Sequence, residues 1–314
     1  MIMNTELCVF MSHVEDLADT ESLFGLVPED SLEKMKDLIG REAVTNQSSV
    51  KTLKKIFGDD LIGAVRRLYF GQETCERLIP SPEDILKAAR ICAERKWGLS
   101  LVLPYVGPPG ARTIKGLVPV ISEASEILGQ VEVVVQDFAG LMIISDLKNP
   151  NIIPVLGRLF TRMKRDPRFS VDEFVIDKNA YKAPDLDALR RTSFEGSSYT
   201  SFLNSLGVHR FSIEALPQGV DISRVSDLSA DLYWPWVYVV SGRACKTAGL
   251  SDPCRARYPK ESPCHMECRR MQINSPDSLL YSLTKGNAVW MECLKMNDIS
   301  EGIGRLVYMP YIPV

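Results

Sequence analysis

The sequence predicts an α/β fold: a TIM-like (β/α) barrel, regular or distorted, with a cysteine-rich loop near its C-terminal end. Three observations carry this prediction. A strand, a capped helix and a second strand follow one another between Val65 and Val106. That is the order of a βαβ unit, which builds parallel sheets. Counting these, seven or eight strand candidates alternate with helices or loops along the chain. Neither GxGxxG nor GxxxxGK followed by Ser or Thr comes after any of them. A dinucleotide-binding fold and a P-loop therefore both lack their phosphate cradle, and a barrel fits better.

Taken in order, the elements justify that reading. SLEKMKDLIG and SVKTLKKIFGDDL place apolar residues at helical spacing and meet glycines near their ends, so residues 1–64 are expected to form a helical segment packed on the barrel. VRRLYFG is a short β-rich run. SPEDILKAARICAERKWG follows, with Ser81 as N-cap, Pro82 at the first helical position and Gly98 as the stop. LSLVLPYV and VEVVVQD are strands, and LMIISDL and IIPVLGRLF are further apolar runs. SYTSFLNSLG is a helix with a glycine end, and VHRFSIEAL is the strand after it. DLYWPWVYVVSG leads into the cysteine-rich run, while NAVWME and RLVYMPYI are late strands. No sequence repeat and no low-complexity linker divides the chain. Residues 65–314 are therefore expected to form one barrel domain with the loop 241–270 inserted in it.

Composition bounds the function. The chain has 314 residues, 45% hydrophobic and 25% charged, with a formal net charge of −3. These are ordinary globular values and give no global electrostatic case for a nucleic-acid partner. The N-terminus lacks a basic region before its apolar residues and turns acidic at Glu15, Asp16 and Asp19, unlike a signal peptide. The best membrane candidate, Val131–Leu147, contains Glu132, Asp137 and Asp146, so no spanning helix is expected. These features point to the cytoplasm, where structural disulfides are rare.

The eight cysteines are Cys8, Cys75, Cys92, Cys245, Cys254, Cys264, Cys268 and Cys293. Half of them fall in the short run from Cys245 to Cys268, among Gly249, Pro253, Pro259 and Pro263, so this is loop rather than core helix. Four soft thiolates on one loop can enclose a soft metal centre. Structural zinc sites usually offer two close cysteine pairs, and here only Cys264 and Cys268 form one. The wide first gaps suit a cuboidal iron–sulfur cluster at least as well, and zinc or inert thiols are the alternatives. Seven basic against three acidic residues make Ser241–Arg270 cationic within an acidic chain, which favours an anionic cluster. His265 lies inside the run and is expected to be peripheral to the ligands.

SGRACK followed by PCHMECRR resembles the cluster-binding signature of the U-thirty-two (collagenase-like) peptidase family. Its members carry SGRC and, further on, CxxxCR. YFGQETCER with PSPEDILKAARICAERKWGLSLVLPYV, VEVVVQDFAGLMII, FLNSLGVHRFSIEALP and KGNAVWMECLKMNDISEGIGRLVYMP are similar to other family segments. The resemblance covers roughly Val65–Val314 and lies closest to the short UbiU/UbiV-type iron–sulfur proteins. It implies a 4Fe–4S cluster on Cys245, Cys254, Cys264 and Cys268. It also implies oxygen-independent hydroxylation of an aromatic or unsaturated substrate, either quinone-precursor-like or an RNA base, with prephenate as a candidate oxygen donor. Some members take a ligand from elsewhere in the chain, which makes Cys293 a substitute. With four thiols already in the loop, Cys293 is expected to pack or stay free. A non-catalytic subunit pairing with a related U-thirty-two-type protein is the second reading. A peptidase is the third, weakly supported because only three histidines occur and GxSxG and HExxH are absent.

Other candidates follow from position. Glu73, Asp137 and Glu214 sit at or just after strand ends, where barrel active sites form, and a carboxylate there can move a proton. Arg158 follows the IIPVLG strand and is suited to gripping a carboxylate or phosphate. The later cations Arg162, Lys164, Arg165 and Arg168 read as a solvated helix face. Arg243 precedes the first clustered cysteine and matches the arginine of the family's SGRC. Gly107-Pro108-Pro109-Gly110 reads as a turn, and Tyr233, Trp234 and Trp236 as core or as an aromatic wall.

Overall fold

Eight parallel strands close into a barrel in sequential order. They are β1 (Glu6–Met11), β2 (Val65–Gly71), β3 (Gly98–Val102), β4 (Val131–Val135), β5 (Ile152–Leu156), β6 (Arg210–Glu214), β7 (Ser229–Trp234) and β12 (Ile303–Tyr308), which returns to pair with β1. This computed structural model describes residues 5–17, 24, 41–161, 163–165, 186–252, 264–274, 282–296 and 302–314. Helices α1 (Arg41–Phe57), α2 (Pro82–Arg95), α3 (Pro108–Leu128), α4 (Phe138–Ser145) and α5 (Ser197–Ser205) lie between the strands, and α6 (Lys246–Ser251) lies in the insertion between β7 and β12. A second, antiparallel sheet is inserted between β7 and β12. Its order is β8 (Trp236–Ser241), β11 (Ala288–Glu292), β10 (Ser282–Lys285), β9 (Ile273–Asn274).

The barrel corrects the expectation of a purely helical segment over residues 1–64. Glu6–Met11 is the first strand, held between β12 and β2, and closure depends on it. Only Arg41–Phe57 and a single turn at Leu61–Ala64 are helical among the described α-helices of that stretch. LMIISDL, read as an apolar run, lies mostly in α4. Asp137 decides this by accepting a hydrogen bond from Gly140 N at 2.7 Å and so capping the helix. NAVWME belongs to the inserted sheet as β11, and DLYWPWVYVVSG divides at Pro235, with β7 in the barrel and β8 outside it.

The capped helix forms as its sequence dictates. Ser81 Oγ accepts from Asp84 N at 3.1 Å, and Pro82 opens α2. The stop is Lys96, in the left-handed region at φ 56°. Gly98 instead starts β3, where a Cβ would lie 2.5 Å from the Arg67 guanidinium carbon. That guanidinium belongs to a polar layer inside the barrel near the strands' N-terminal ends. Arg305 Nη1 meets Glu132 at 2.8 Å, Arg210 Nη1 meets Asp231 at 2.6 Å, and Tyr69 donates to Asp231 at 2.6 Å. Burial pushes the Glu132 carboxyl up, but Arg67 and Arg305 outweigh it and leave it below the usual range.

Above this layer an apolar cluster runs from the barrel interior into the inserted sheet, around a buried ionic group described below. Phe10, Tyr69, Val102, Val134, Val155, Tyr233 and Val307 join Trp236, Leu283 and Trp290 in one buried cluster. The inserted sheet thereby covers the end of the barrel at which the strands terminate. Among the described residues, no helix is long and apolar enough to cross a membrane.

Candidate functional site

Beside the inserted sheet, the barrel mouth holds a cavity of about 470 Å³ lined by Cys75, Cys245, Cys264 and Cys268. Cys75 follows the exit of β2, Cys245 precedes α6, and Cys264 and Cys268 lie further along the insertion. Cys254 falls outside the described residues. The sequence places Cys75, far from the clustered cysteines, outside the expected ligand set with Cys8, Cys92 and Cys293. The one signal was its place a few residues past a strand end, on the face where barrel sites form.

The four thiols differ in their surroundings: Cys268 is buried, Cys75 and Cys245 are half-buried and Cys264 is exposed. Cys245 Sγ is 3.5 Å from the backbone nitrogen of Ala248, which donates to it, and 3.4 Å from Thr247 Oγ1. Burial first, with the neighbouring Cys264 and Cys245 adding to it, raises the Cys75 thiol to about 11. Burial and the same set of neighbours, Cys75 among them, raise Cys268 to about 12. Thiols that perturb one another share one neighbourhood, and a bound metal would displace their protons. Among the described residues, no three His, Cys, Asp or Glu side chains are drawn in tightly enough to hold a single ion. The donor chemistry nevertheless fits a soft centre: four sulfurs on one cavity, one of them already accepting an N–H.

The remaining cysteines lie elsewhere. Cys8 and Cys92 are fully buried, Cys8 inside the barrel and Cys92 in the layer between barrel and helices. Cys293 donates to Lys295 O at 3.4 Å and does not line the cavity. His265 is exposed and does not line it either.

Arg243 lines the cavity. So does Gly107-Pro108-Pro109-Gly110, which is the N-terminal end of the long helix α3 rather than an isolated turn. That helix end is already engaged: Gly107 N donates to Glu76 Oε2 at 2.9 Å. A Cβ on Gly110 would lie 2.5 Å from the same oxygen. An adjoining open recess of about 250 Å³ shares Tyr105 and Arg243 with the cavity and adds Leu159 and Tyr238.

Glu73, Arg158 and Glu214 come together, but beneath the cavity and out of contact with solvent. All three are 0% exposed. Arg158 pairs with Glu73 through Nε at 3.0 Å and through Nη2. Its Nη1 donates to Trp236 O at 2.9 Å and lies 3.9 Å from Glu214. The guanidinium stacks over Tyr233 and Trp290, with centroids at 4.5 and 5.1 Å. Arg165 Nε lies 3.0 Å from the Glu214 carboxylate, so this cation is drawn into the network rather than left on a solvated face. Burial would lower Arg158, but Glu73 and Glu214 overcome it and raise its pKa. Burial pushes the Glu214 carboxyl up despite Arg165 and Arg158. As the side chain stands, the Arg158 donors serve the fold and none is presented to the cavity.

Asp137 is also occupied. Its two oxygens accept from Gly140 N and Val106 N, each at 2.7 Å. Tyr233, Trp234 and Trp236 are fully buried and form core rather than a wall of the cavity.

No protein-family model matches the chain, and no curated protein matches it. Among solved structures it is similar to one described as the U32 peptidase Mk0906. The identity is 10% and the TM-score 0.39, over 97% of this chain and 92% of that one. A likeness at that level carries neither family nor activity, and the barrel stands on the chain's own strand order.

Proposed function

We propose that this chain is a 4Fe–4S protein with its cluster at the barrel mouth, held by Cys75, Cys245, Cys264 and Cys268. One observation carries the reading: Cys75, distant in sequence, lines one cavity with Cys245, Cys264 and Cys268 of the insertion. The proposed set joins Cys75 to the three described cysteines of the insertion; Cys254, expected from the sequence, lies outside the described residues, and its substitution is part of the test. When bound, such a cluster supplies one-electron transfer, and four thiolate ligands would leave it no open iron.

We further infer, from the sequence resemblance, a role in oxygen-independent hydroxylation of an aromatic or unsaturated substrate. The chain's own residues support a small-molecule site. The cavity lies within the usual size range for ligand pockets. Tyr105 and Tyr238 give the adjoining recess aromatic walls, and Arg243, which lines both recess and cavity, is the cation that would orient an anionic group. Prephenate as oxygen donor and a related U-thirty-two-type partner belong to the same proposal.

The test is anaerobic purification with iron, sulfide and zinc analysis, on the natural chain and on Cys75→Ala and Cys254→Ala. The reading expects iron and sulfide in the natural protein, loss in Cys75→Ala and retention in Cys254→Ala. Stoichiometric zinc without iron overturns the cluster. Iron lost from Cys254→Ala but kept by Cys75→Ala overturns the ligand set. Peptidase activity that survives removal of the cluster would favour the family's nominal chemistry instead.

A further inference from the structure

We propose that Asn287 is the positioning residue that sets the Cys75 loop against the Cys245 loop, so that the thiols share one cavity before any metal arrives. The inference rests on the cluster reading for its purpose, but not for its geometry. Asn287 sits in the two-residue turn between β10 and β11, after Gly286 at φ +63°. It is nearly buried, at 9% exposure. Its amide nitrogen donates its two hydrogens to Thr74 O at 2.6 Å and Gly242 O at 2.7 Å, and lies 3.0 Å from Tyr105 Oη, which itself donates to Gly242 O at 2.9 Å. Thr74 immediately precedes Cys75. Gly242 precedes Arg243 and lies three residues before Cys245.

The turn's backbone reinforces the same junction. Gly242 N donates to Asn287 O, and Lys246 N donates to Gly286 O, each at 2.9 Å. A Cβ on Gly286 would lie 3.5 Å from Cys268 Cβ, so the turn also lies against the third cysteine-bearing stretch. On the far side of Cys75, Glu76 is fixed by Gly107 N. Residues 74 and 76 are thus both tethered, and Asn287 supplies the only one of these two tethers that also reaches the insertion.

The chemistry of the contacts makes the residue type specific. All three partners of the amide nitrogen present oxygen, and two are backbone carbonyls that can only accept. Aspartate has the same shape but turns the donor into an anionic acceptor facing those carbonyls. Alanine leaves Thr74 O without its donor and Gly242 O with the Tyr105 hydroxyl alone, at 2.9 Å. Loss of a buried donor from its acceptors is enough for about a tenfold or larger change in an equilibrium.

The experiment uses the full chain in two states. In the metal-free, reduced protein, a short bifunctional thiol reagent is used to cross-link Cys75 to Cys245, and the product is mapped by peptide mass. In anaerobically prepared protein, the rate of iron release to a chelator is followed. Expected are a cross-link in the natural protein, a drop of about tenfold in its yield in N287D and N287A, and iron release faster by a similar factor. Circular dichroism and melting confirm the fold of each variant. N287A, which adds no charge, carries the test if N287D does not fold. A folded N287A with natural cross-linking and natural iron release overturns the proposal. A natural protein that holds no iron but whose cross-link is lost in N287A overturns the cluster reading and leaves the positioning role standing.

Discussion

Arg158→Ala is expected to destabilise the fold before it affects any chemistry, and the penalty should depend on pH in a calculable way. The substitution removes the principal partner of Glu73. Glu214 keeps Arg165 at 3.0 Å, whereas among the described residues the Glu73 carboxylate keeps only Gln136 Nε2, at 3.3 Å. Breaking a buried pair by removing one member costs about 3–5 kcal/mol. An orphaned carboxylate can escape by taking a proton, which caps the penalty. From an ordinary glutamate value of about 4.3, holding the proton at pH 7 costs about 3.7 kcal/mol, and each unit of pH removes about 1.4 kcal/mol of that. Lost stacking over Tyr233 and Trp290 adds roughly 0.5–2 kcal/mol that does not depend on pH. The sign follows from linkage: an orphaned acid is raised in the folded state, so stability is retained at low pH and lost as pH rises. Urea unfolding of Arg158→Ala should therefore show a deficit near 4–5 kcal/mol at pH 7, falling to about 2 kcal/mol at pH 5. Adding Glu73→Gln should restore most of the pH-dependent part. A deficit under about 1 kcal/mol at pH 7, or one that does not shrink as pH falls, would refute the reasoning and return Arg158 to the list of candidate ligand-binding residues.

Three further outcomes are expected. Cys8→Ala, Cys92→Ala and Cys293→Ala should keep their iron after anaerobic preparation, because none of these thiols lines the cavity; iron loss from any of them would point to a different ligand set. Gly71→Ala should lower the urea midpoint by the equivalent of more than about 2 kcal/mol, since Gly71 sits at φ +134° and a Cβ would lie 2.2 Å from Val102 O; an unchanged midpoint counts against the strand register. Glu214→Gln should flatten the stability profile above the ordinary glutamate range. Burial raises this carboxyl in the folded protein, so its contribution is present at low pH and lost as pH rises through the raised value. An unchanged slope would show that Glu214 is not the group responsible.

Much of the barrel is legible because its strands are short apolar runs with punctuating residues, and Ser81-Pro82 states the start of α2 outright. The first strand was obscured because ELCVFM is followed at once by acidic residues and helical spacing. LMIISDL was ambiguous because an uncharged apolar run has no period that separates helix from strand; Asp137 ahead of it was the distinguishing signal. Arg158 shows a different limit. An arginine after a barrel strand reads as a ligand for substrate because its partner, Glu73, is 85 positions away in sequence. Pattern alone cannot show that the two side chains neutralise each other.

Cys75 was invisible for the same reason, and the strand order explains how it reaches the site. Around the barrel β7 is followed by β12, then β1, then β2. An insertion that leaves after β7 and returns before β12 therefore starts only three strands from the exit of β2. To cover the mouth it folds back over that exit, with Trp236 and Trp290 continuing the barrel interior. Arg158 fastens the junction from below through Trp236 O and Glu73, and Asn287 fastens it from above through Gly242 O and Thr74 O. Glu73 and Thr74 are the two residues directly before Cys75. The loop that presents this thiol is thus tied to the insertion on both sides of the cavity floor, by one buried ion pair and one buried amide. A change in either tie should reach Cys75 before it reaches Cys245, whose sulfur caps the short helix after it by accepting from Ala248 N.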